Sequence, residues 1–213
     1  MQREGGYTPS PQRRSIIMSL RIPEVLSGEE RAALYKTCNT RYKTGLRDLC
    51  ELHLMADLGL RSMEILNLRW RDIDLNTGRV RVVQGKGGKD RIVWCDVDTV
   101  LPLMRRWRDV AHHSPLGLVF ATRTGKRQLS QGLRAMVARR GKKAGIHKGA
   151  NGRVHPHMLR HTAATDMYKA THNLMIVKSM LGHASVRTTE IYTHIHNHEL
   201  QQAMQTYRQE REE

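Results

Sequence analysis

The 213-residue sequence predicts an α+β domain, mainly helical, with a small three-stranded antiparallel sheet. Three observations lead there. Apolar residues recur at helical spacing both before and after one short zone. Inside that zone, apolar and polar residues alternate with a period of two between turn-forming residues. No internal repeat and no long apolar run points to another architecture.

In chain order, residues 1–25 read as a flexible basic arm or linker, with Gly5, Gly6, Pro9 and Pro11 beside Arg13 and Arg14. Residues 26–196 read as one domain and 197–213 as a helical tail. Order begins near Leu26, where Ser27 and Glu30 have capping-box spacing ahead of a helix through Ala32, Leu34 and Tyr35. A second helix runs through Leu46, Leu49, Cys50, Leu52 and Leu54 and ends at Gly59, so Arg61 stands just past a helix break. A short apolar stretch follows through Met63, Ile65, Leu66 and Leu68. Three strand candidates come next: Trp70 to Leu75, then Val80 to Val83 alternating with Arg79 and Arg81, then Arg91 to Trp94. The turn before the last is Gly85-Lys86-Gly87-Gly88-Lys89-Asp90, a cationic hairpin tip. Helices are expected at about 99–111, 129–144, 156–169 and 173–181, with another from about 198 onward.

Composition narrows the partner. Lys and Arg number 36 against 20 Asp and Glu, a net charge of +16, which concentrates polyanions around the chain and makes nucleic acid the leading partner. No apolar run is long enough to cross a bilayer, and the N-terminus lacks the hydrophobic core of a signal peptide, so no membrane role is expected. Cys38, Cys50 and Cys95 are odd in number and lack metal-type spacing; they suit the reducing cytoplasm and read as small buried apolar groups. The alternating His194, His196 and His198 have no cysteine or carboxylate at zinc-finger spacing, so no metal site is expected. The glycine-rich tip lacks the Gly-x-x-x-x-Gly-Lys-Ser/Thr frame of a nucleotide-binding loop, and no cofactor is expected.

Five pieces occur in fixed order: Gly59-Leu60-Arg61, Gly85-Lys86-Gly87, His157-Met158-Leu159-Arg160, Leu181-Gly182-His183 and Ile191-Tyr192-Thr193-His194. Together they resemble the tyrosine recombinases, including the phage integrases and the bacterial enzymes that resolve chromosome dimers, over nearly everything from Leu26 to His194. The resemblance implies the catalytic-domain fold of that family and metal-free cutting and rejoining of DNA. Each residue type has a chemical reason. A Tyr phenol can attack a phosphodiester and conserve the bond energy in a covalent 3′-phosphotyrosine. Guanidinium groups offer a planar fork of donors to the phosphate and keep their charge. By resemblance Tyr192 is the nucleophile, nine positions after His183, and Arg61 and Arg160 hold the phosphate. Lys86 protonates the leaving oxygen, His157 assists proton transfer, and His183 donates a hydrogen bond to a non-bridging oxygen. Glu64 supports this set, and Lys89 and Arg91 are read as DNA contacts.

The rivals to these residues have plainer readings. Lys89 shares its turn with Lys86, His155 and His161 flank His157, and Tyr168 and Tyr207 read as packing residues. The family carries a helical core-binding domain ahead of the catalytic domain, and only the basic arm precedes Leu26 here, as expected of a fragment or a short recombinase. The tail, with Leu200, Met204 and Tyr207 at helical spacing, is expected to dock on a neighbouring protomer within a tetramer on synapsed DNA sites. Three alternatives stay open on the sequence: a type IB topoisomerase-like activity, a DNA-binding regulator with a silent site, and a generic basic module.

Overall fold

The computed structural model describes residues 24–83 and 90–182. Helix α1 (Gly28–Lys36) starts where the capping box places it: the Glu30 amide donates to Ser27 Oγ at 3.2 Å and the Ser27 amide to Glu30 Oε2 at 2.7 Å. Helix α2 (Lys43–Ala56) is buried along almost its whole length and forms the centre of the domain. Leu52, Leu54 and Met55 are fully enclosed there, each contributing roughly 1.5–3 kcal/mol of apolar burial. Gly59 then turns the chain with φ +69°, and a Cβ at this position would approach Leu181 Cδ2 to 3.0 Å. That turn delivers the short helix α3 (Ser62–Asn67).

Strands β1 (Arg79–Val82) and β2 (Arg91–Trp94) pair antiparallel, with Arg79 opposite Trp94 and Arg81 opposite Ile92. Among the described residues the sheet has these two strands, not three. The expected first strand, from Trp70 to Leu75, instead opens with a 3₁₀ turn at Trp70–Asp72, and only Ile73 bridges to Val80. The reason lies in where its backbone groups go. Residues 68–70 pair with 117–119, the Trp70 amide donating to Gly117 O and the Val119 amide to Leu68 O at 2.9 Å each, while the Asp72 and Ile73 amides turn back onto Arg69 O and Trp70 O.

Helices α4 (Val100–Val110), α5 (Ser130–Lys143), α6 (Pro156–Thr171) and α7 (Leu174–Leu181) complete the fold. Helix α2 packs against α4 on one side and α6 on the other, and α7 packs on α6 and β2. A small separate cluster of Ala164, Tyr168, Val177 and Leu181 glues α6 to α7, which accounts for Tyr168 as a core residue. Helix α5 presses against the chain at Val154, where Gly141 leaves no room for a side chain: a Cβ would lie 2.6 Å from Val154 Cγ2.

Charge also organises the interior. Asp48 on α2 is approached by Arg47 and Arg140 at 2.7 Å each and by Arg139 at 3.6 Å, and Arg140 further donates to Thr37 O at 2.6 Å. One turn on, the Glu51 carboxylate accepts from Gln128 at 2.8 Å. On the other side, Arg31 of α1 reaches Asp166 of α6 at 2.5 Å, and Tyr35 donates to Asp57 at 2.8 Å. No helix among the described residues is long and apolar enough to cross a membrane. Cys38, Cys50 and Cys95 are buried and unpaired, and burial pushes all three thiols up.

Candidate active site

Arg61 leaves the Gly59 turn at the N-cap of α3. Glu64, one turn later, reaches back: it accepts the Arg61 amide at 2.7 Å and Arg61 Nη1 at 3.0 Å. The other wall comes from α6, whose start is fixed by Pro156 at its first turn and by His155, whose ring accepts the Met158 amide at 3.2 Å. His157 and Arg160 lie three residues apart on α6 and so share a face. The spacing thus brings Arg61, His157 and Arg160 to a single cavity of about 380 Å³, whose lining also includes Ser62, His155 and Arg134 of α5. A wider concavity of about 600 Å³ lies elsewhere, between Arg47, Arg123 and the first turn of α5, and shares no residue with this one.

Within the site, Glu64 is the single carboxylate among several cations of the described residues. Arg91 of β2 grips it with both terminal nitrogens, Nη1 to Oε1 and Nη2 to Oε2, each at 2.8 Å. Arg160 Nη1 stands 3.8 Å from it. Arg160 is almost wholly buried and donates to Gly59 O and, at 2.6 Å, to Leu181 O. Burial pushes the Glu64 carboxyl up, but Arg91, the Arg61 amide and the Arg160 charge more than offset this and hold it below the usual carboxylate range. Glu64 therefore stays ionised, and the cluster still carries more guanidinium charge than carboxylate charge. Burial first, then the guanidinium charge of Arg160 with smaller effects of Arg61 and Arg134, pulls His157 below the ordinary imidazole range. His161, one turn deeper, is lowered to about 4, by burial first and then by the neighbouring His157 and Arg160. A neutral imidazole beside two guanidinium groups can accept or relay a proton, while the guanidiniums offer charge-assisted donors to a phosphate.

Two positions differ from the sequence expectation. Arg91 does not face outward as a DNA contact: its side chain is 6% exposed and turned onto Glu64, because β2 directs Arg91 and Val93 inward and Ile92 and Trp94 outward. Arg134 was not singled out at all. It sits in a helix crowded with basic residues, and only the packing of α5 beside α3 reveals its place at the cavity. Lys86, Lys89, His183 and Tyr192 lie outside the described residues.

The sequence profile of the phage integrase family matches residues 24–199. The chain belongs to that family. Among the relatives of this integrase-family chain, tyrosine recombinase XerC of Xanthomonas campestris pv. campestris is 37% identical over 175 residues, covering 82% of this chain and 52% of the relative. Tyrosine recombinase XerD of Ralstonia nicotianae is 35% identical over 179 residues, covering 82% and 57%. This chain spans about half the length of the curated relatives it matches. Among solved structures, the XerA recombinase superposes with a TM-score of 0.74 at 30% identity, covering 88% of this chain and 66% of that one. The XerH site-specific recombinase bound to a palindromic difH substrate, in a post-cleavage complex, gives 0.74 at 29% identity, covering 88% and 54%. The fold, mainly helical with a small antiparallel sheet, is that of the tyrosine recombinases.

Proposed function

We propose that this chain is the DNA-cutting part of a site-specific recombinase, with residues 26–196 as its catalytic domain. The observation that carries this reading is the convergence of Arg61, His157 and Arg160 on one cationic cavity built around an ionised Glu64. A phosphodiester is the ligand such a cavity suits, because fixed guanidinium forks match its non-bridging oxygens and stabilise the charge that builds during transfer. The Tyr192 oxygen attacks phosphorus as its phenolic proton passes to neutral His157, the P–O5′ bond breaks, and Lys86 gives a proton to the departing 5′ oxygen. The product is a 3′-phosphotyrosine, which a 5′ hydroxyl from a partner strand reverses. Arg61 and Arg160 clamp the phosphate, Glu64 holds the clamp, and His157 and His183 move a proton or bind a non-bridging oxygen. No metal or cofactor enters these steps.

Double-stranded DNA is thus the partner, in keeping with the net charge of +16 and with the DNA-bound recombinases among the structural relatives. On synapsed sites four chains assemble, with residues 197–213 of each docking on a neighbour; removal of residues beyond Asn197 then abolishes assembly on DNA but not binding of a single site. The cytoplasm is the compartment in which three unpaired, buried thiols persist.

The test is covalent trapping. The chain is incubated without divalent metal on nicked or junction-containing duplexes, and a denaturation-resistant protein–DNA adduct is sought. The expected result is an adduct lost in Tyr192→Phe. Adduct formation undiminished in that variant removes Tyr192 as nucleophile, and no adduct on any substrate overturns the reading.

A further inference from the structure

We propose that Arg91 is a positioning residue of the active site, tying β2 to Glu64 and to the end of α7 and thereby setting the charge that Arg61 and Arg160 present to the phosphate. The proposal deepens the recombinase reading and rests on it.

Arg91 uses all three of its guanidinium nitrogens inside the protein. Two grip Glu64, and Nε donates to Met180 O at 2.6 Å. Arg160 does the same one residue further on, donating to Leu181 O and also to Gly59 O. Two arginines from different elements therefore hold consecutive carbonyls at the C-terminal end of α7, where the helix dipole is negative, and flank the same carboxylate. Their distances to Glu64 are unequal: 2.8 Å for Arg91 and 3.8 Å for Arg160. That inequality matters chemically. A carboxylate that pairs tightly with one guanidinium has less attraction left for a second, so Arg91 keeps Glu64 from closing on Arg160 and neutralising it. From its other side Glu64 accepts both the amide and Nη1 of Arg61. The groups facing Glu64 are then Arg61 of the α3 cap, Arg91 of β2 and Arg160 of α6, and Arg91 is the one not lining the cavity.

Chain connectivity gives the arrangement its reach. Arg91 follows Lys89 by two positions and Lys86 by five, while Met180 precedes His183 by three. One side chain thus anchors the strand that continues from the cationic tip and the helix that leads to His183. Lysine cannot substitute fully, since a single ammonium cannot span a bidentate carboxylate and a carbonyl beyond it.

The experiment uses the full chain with Arg91→Met, Arg91→Lys, Glu64→Gln and the Arg91→Met/Glu64→Gln pair. Two quantities are read: the rate of covalent adduct formation against DNA concentration, and the titration of the Glu64 carboxyl carbon by NMR in the DNA-free protein. In Arg91→Met the rate at saturating DNA falls about a hundredfold, the scale of a small misplacement of reacting groups, while the half-saturating DNA concentration moves less than about threefold. Arg91→Lys recovers part of the rate, and serves alone where Arg91→Met does not fold. Glu64 titrates at higher pH in both variants, and the loss in the paired variant is smaller than the product of the two single losses, because the residues share the Arg91–Glu64 contact and only the Met180 tie is separate. A wild-type rate in Arg91→Met or Arg91→Lys, additive losses in the pair, or an unmoved Glu64 titration overturns the proposal. Should the wild-type chain form no adduct, the recombinase reading falls, and the Glu64 titration still decides whether Arg91 governs that carboxylate.

Discussion

Asp48 on α2 and Glu64 on α3 are each surrounded by guanidinium groups, yet the first sends Arg47 alone to the wall of a concavity, whereas the second sets Arg61 and Arg160 together in one cavity. Around Asp48, Arg47 and Arg140 make close contacts, Arg140 spends a further nitrogen on Thr37 O, and a second carboxylate, Glu51, lies one turn away. Around Glu64 three arginines face a single carboxylate, and one of them, Arg61, keeps a third of its side chain in solvent. The same pairing chemistry therefore has two outcomes. Where a second carboxyl shares three arginines and the contacts are buried, charge is largely consumed in joining α1, α2 and α5. Where a single carboxylate faces three, the surplus projects into a pocket where an external anion can complete the balance.

The contrast can be broken from either side. The largest effect is expected at the balanced cluster: Asp48→Ala strands Arg140 and Arg47 in the interior and should cost about 3–5 kcal/mol of stability, read by denaturant unfolding. The adduct rate per folded molecule should hardly change. At the unbalanced cluster, Arg61→Ala should do the reverse. Loss of one preorganised charge should slow adduct formation by about 10²–10³-fold, while the melting temperature moves little because the side chain is part-exposed. A collapse of stability in Arg61→Ala would mean that both clusters serve the fold alone.

The smallest effect sharpens the comparison through pH. Burial raises Glu51 to about 7 from an ordinary 4.5, against the pull of Arg47 and Gln128. Between those values the folded chain keeps a proton that the unfolded chain releases. This contribution to stability is therefore complete below pH 4.5 and lost as pH rises to about 7. Glu51→Gln, which retains an oxygen for Gln128, removes the dependence. Relative to the wild type it should be more stable at pH 8 than at pH 5 by roughly 1–3 kcal/mol, measured as thermal unfolding across that range. Glu64, held low by its arginines, should show no such relief on Glu64→Gln.

Much of the fold was legible because local signals and packing agree. The Ser27 cap, the break at Gly59 and the bounds of α4 through α7 fall within a residue or two of what periodicity indicates. Trp70 to Leu75 misled because alternation says nothing about where the amides go: Gly117 took that of Trp70, and a 3₁₀ turn took those of Asp72 and Ile73. In the site, Arg61, His157 and Arg160 were legible as motif residues, and their convergence follows from a turn and a helix face. Arg91 was not. In β2 the more apolar pair, Ile92 and Trp94, faces solvent beside Arg81 and Arg79, whereas the arginine turns inward. Only Glu64, distant in sequence, makes that inversion favourable, and no local pattern carries such information.

Gly141 gives the cavity a mechanical property. It lets α5 lie against Val154 with no intervening side chain, two turns from Arg134 on the same helix. At 1.5 Å of rise per residue the two positions are about 10 Å apart, so a tilt of about 10° forced at Gly141 would swing the Arg134 end by about 2 Å. The helix acts as a lever whose fulcrum is a missing methyl group, and even a Gly141→Ala exchange, remote from Arg61, His157 and Arg160, would be felt as a change in the width of their cavity.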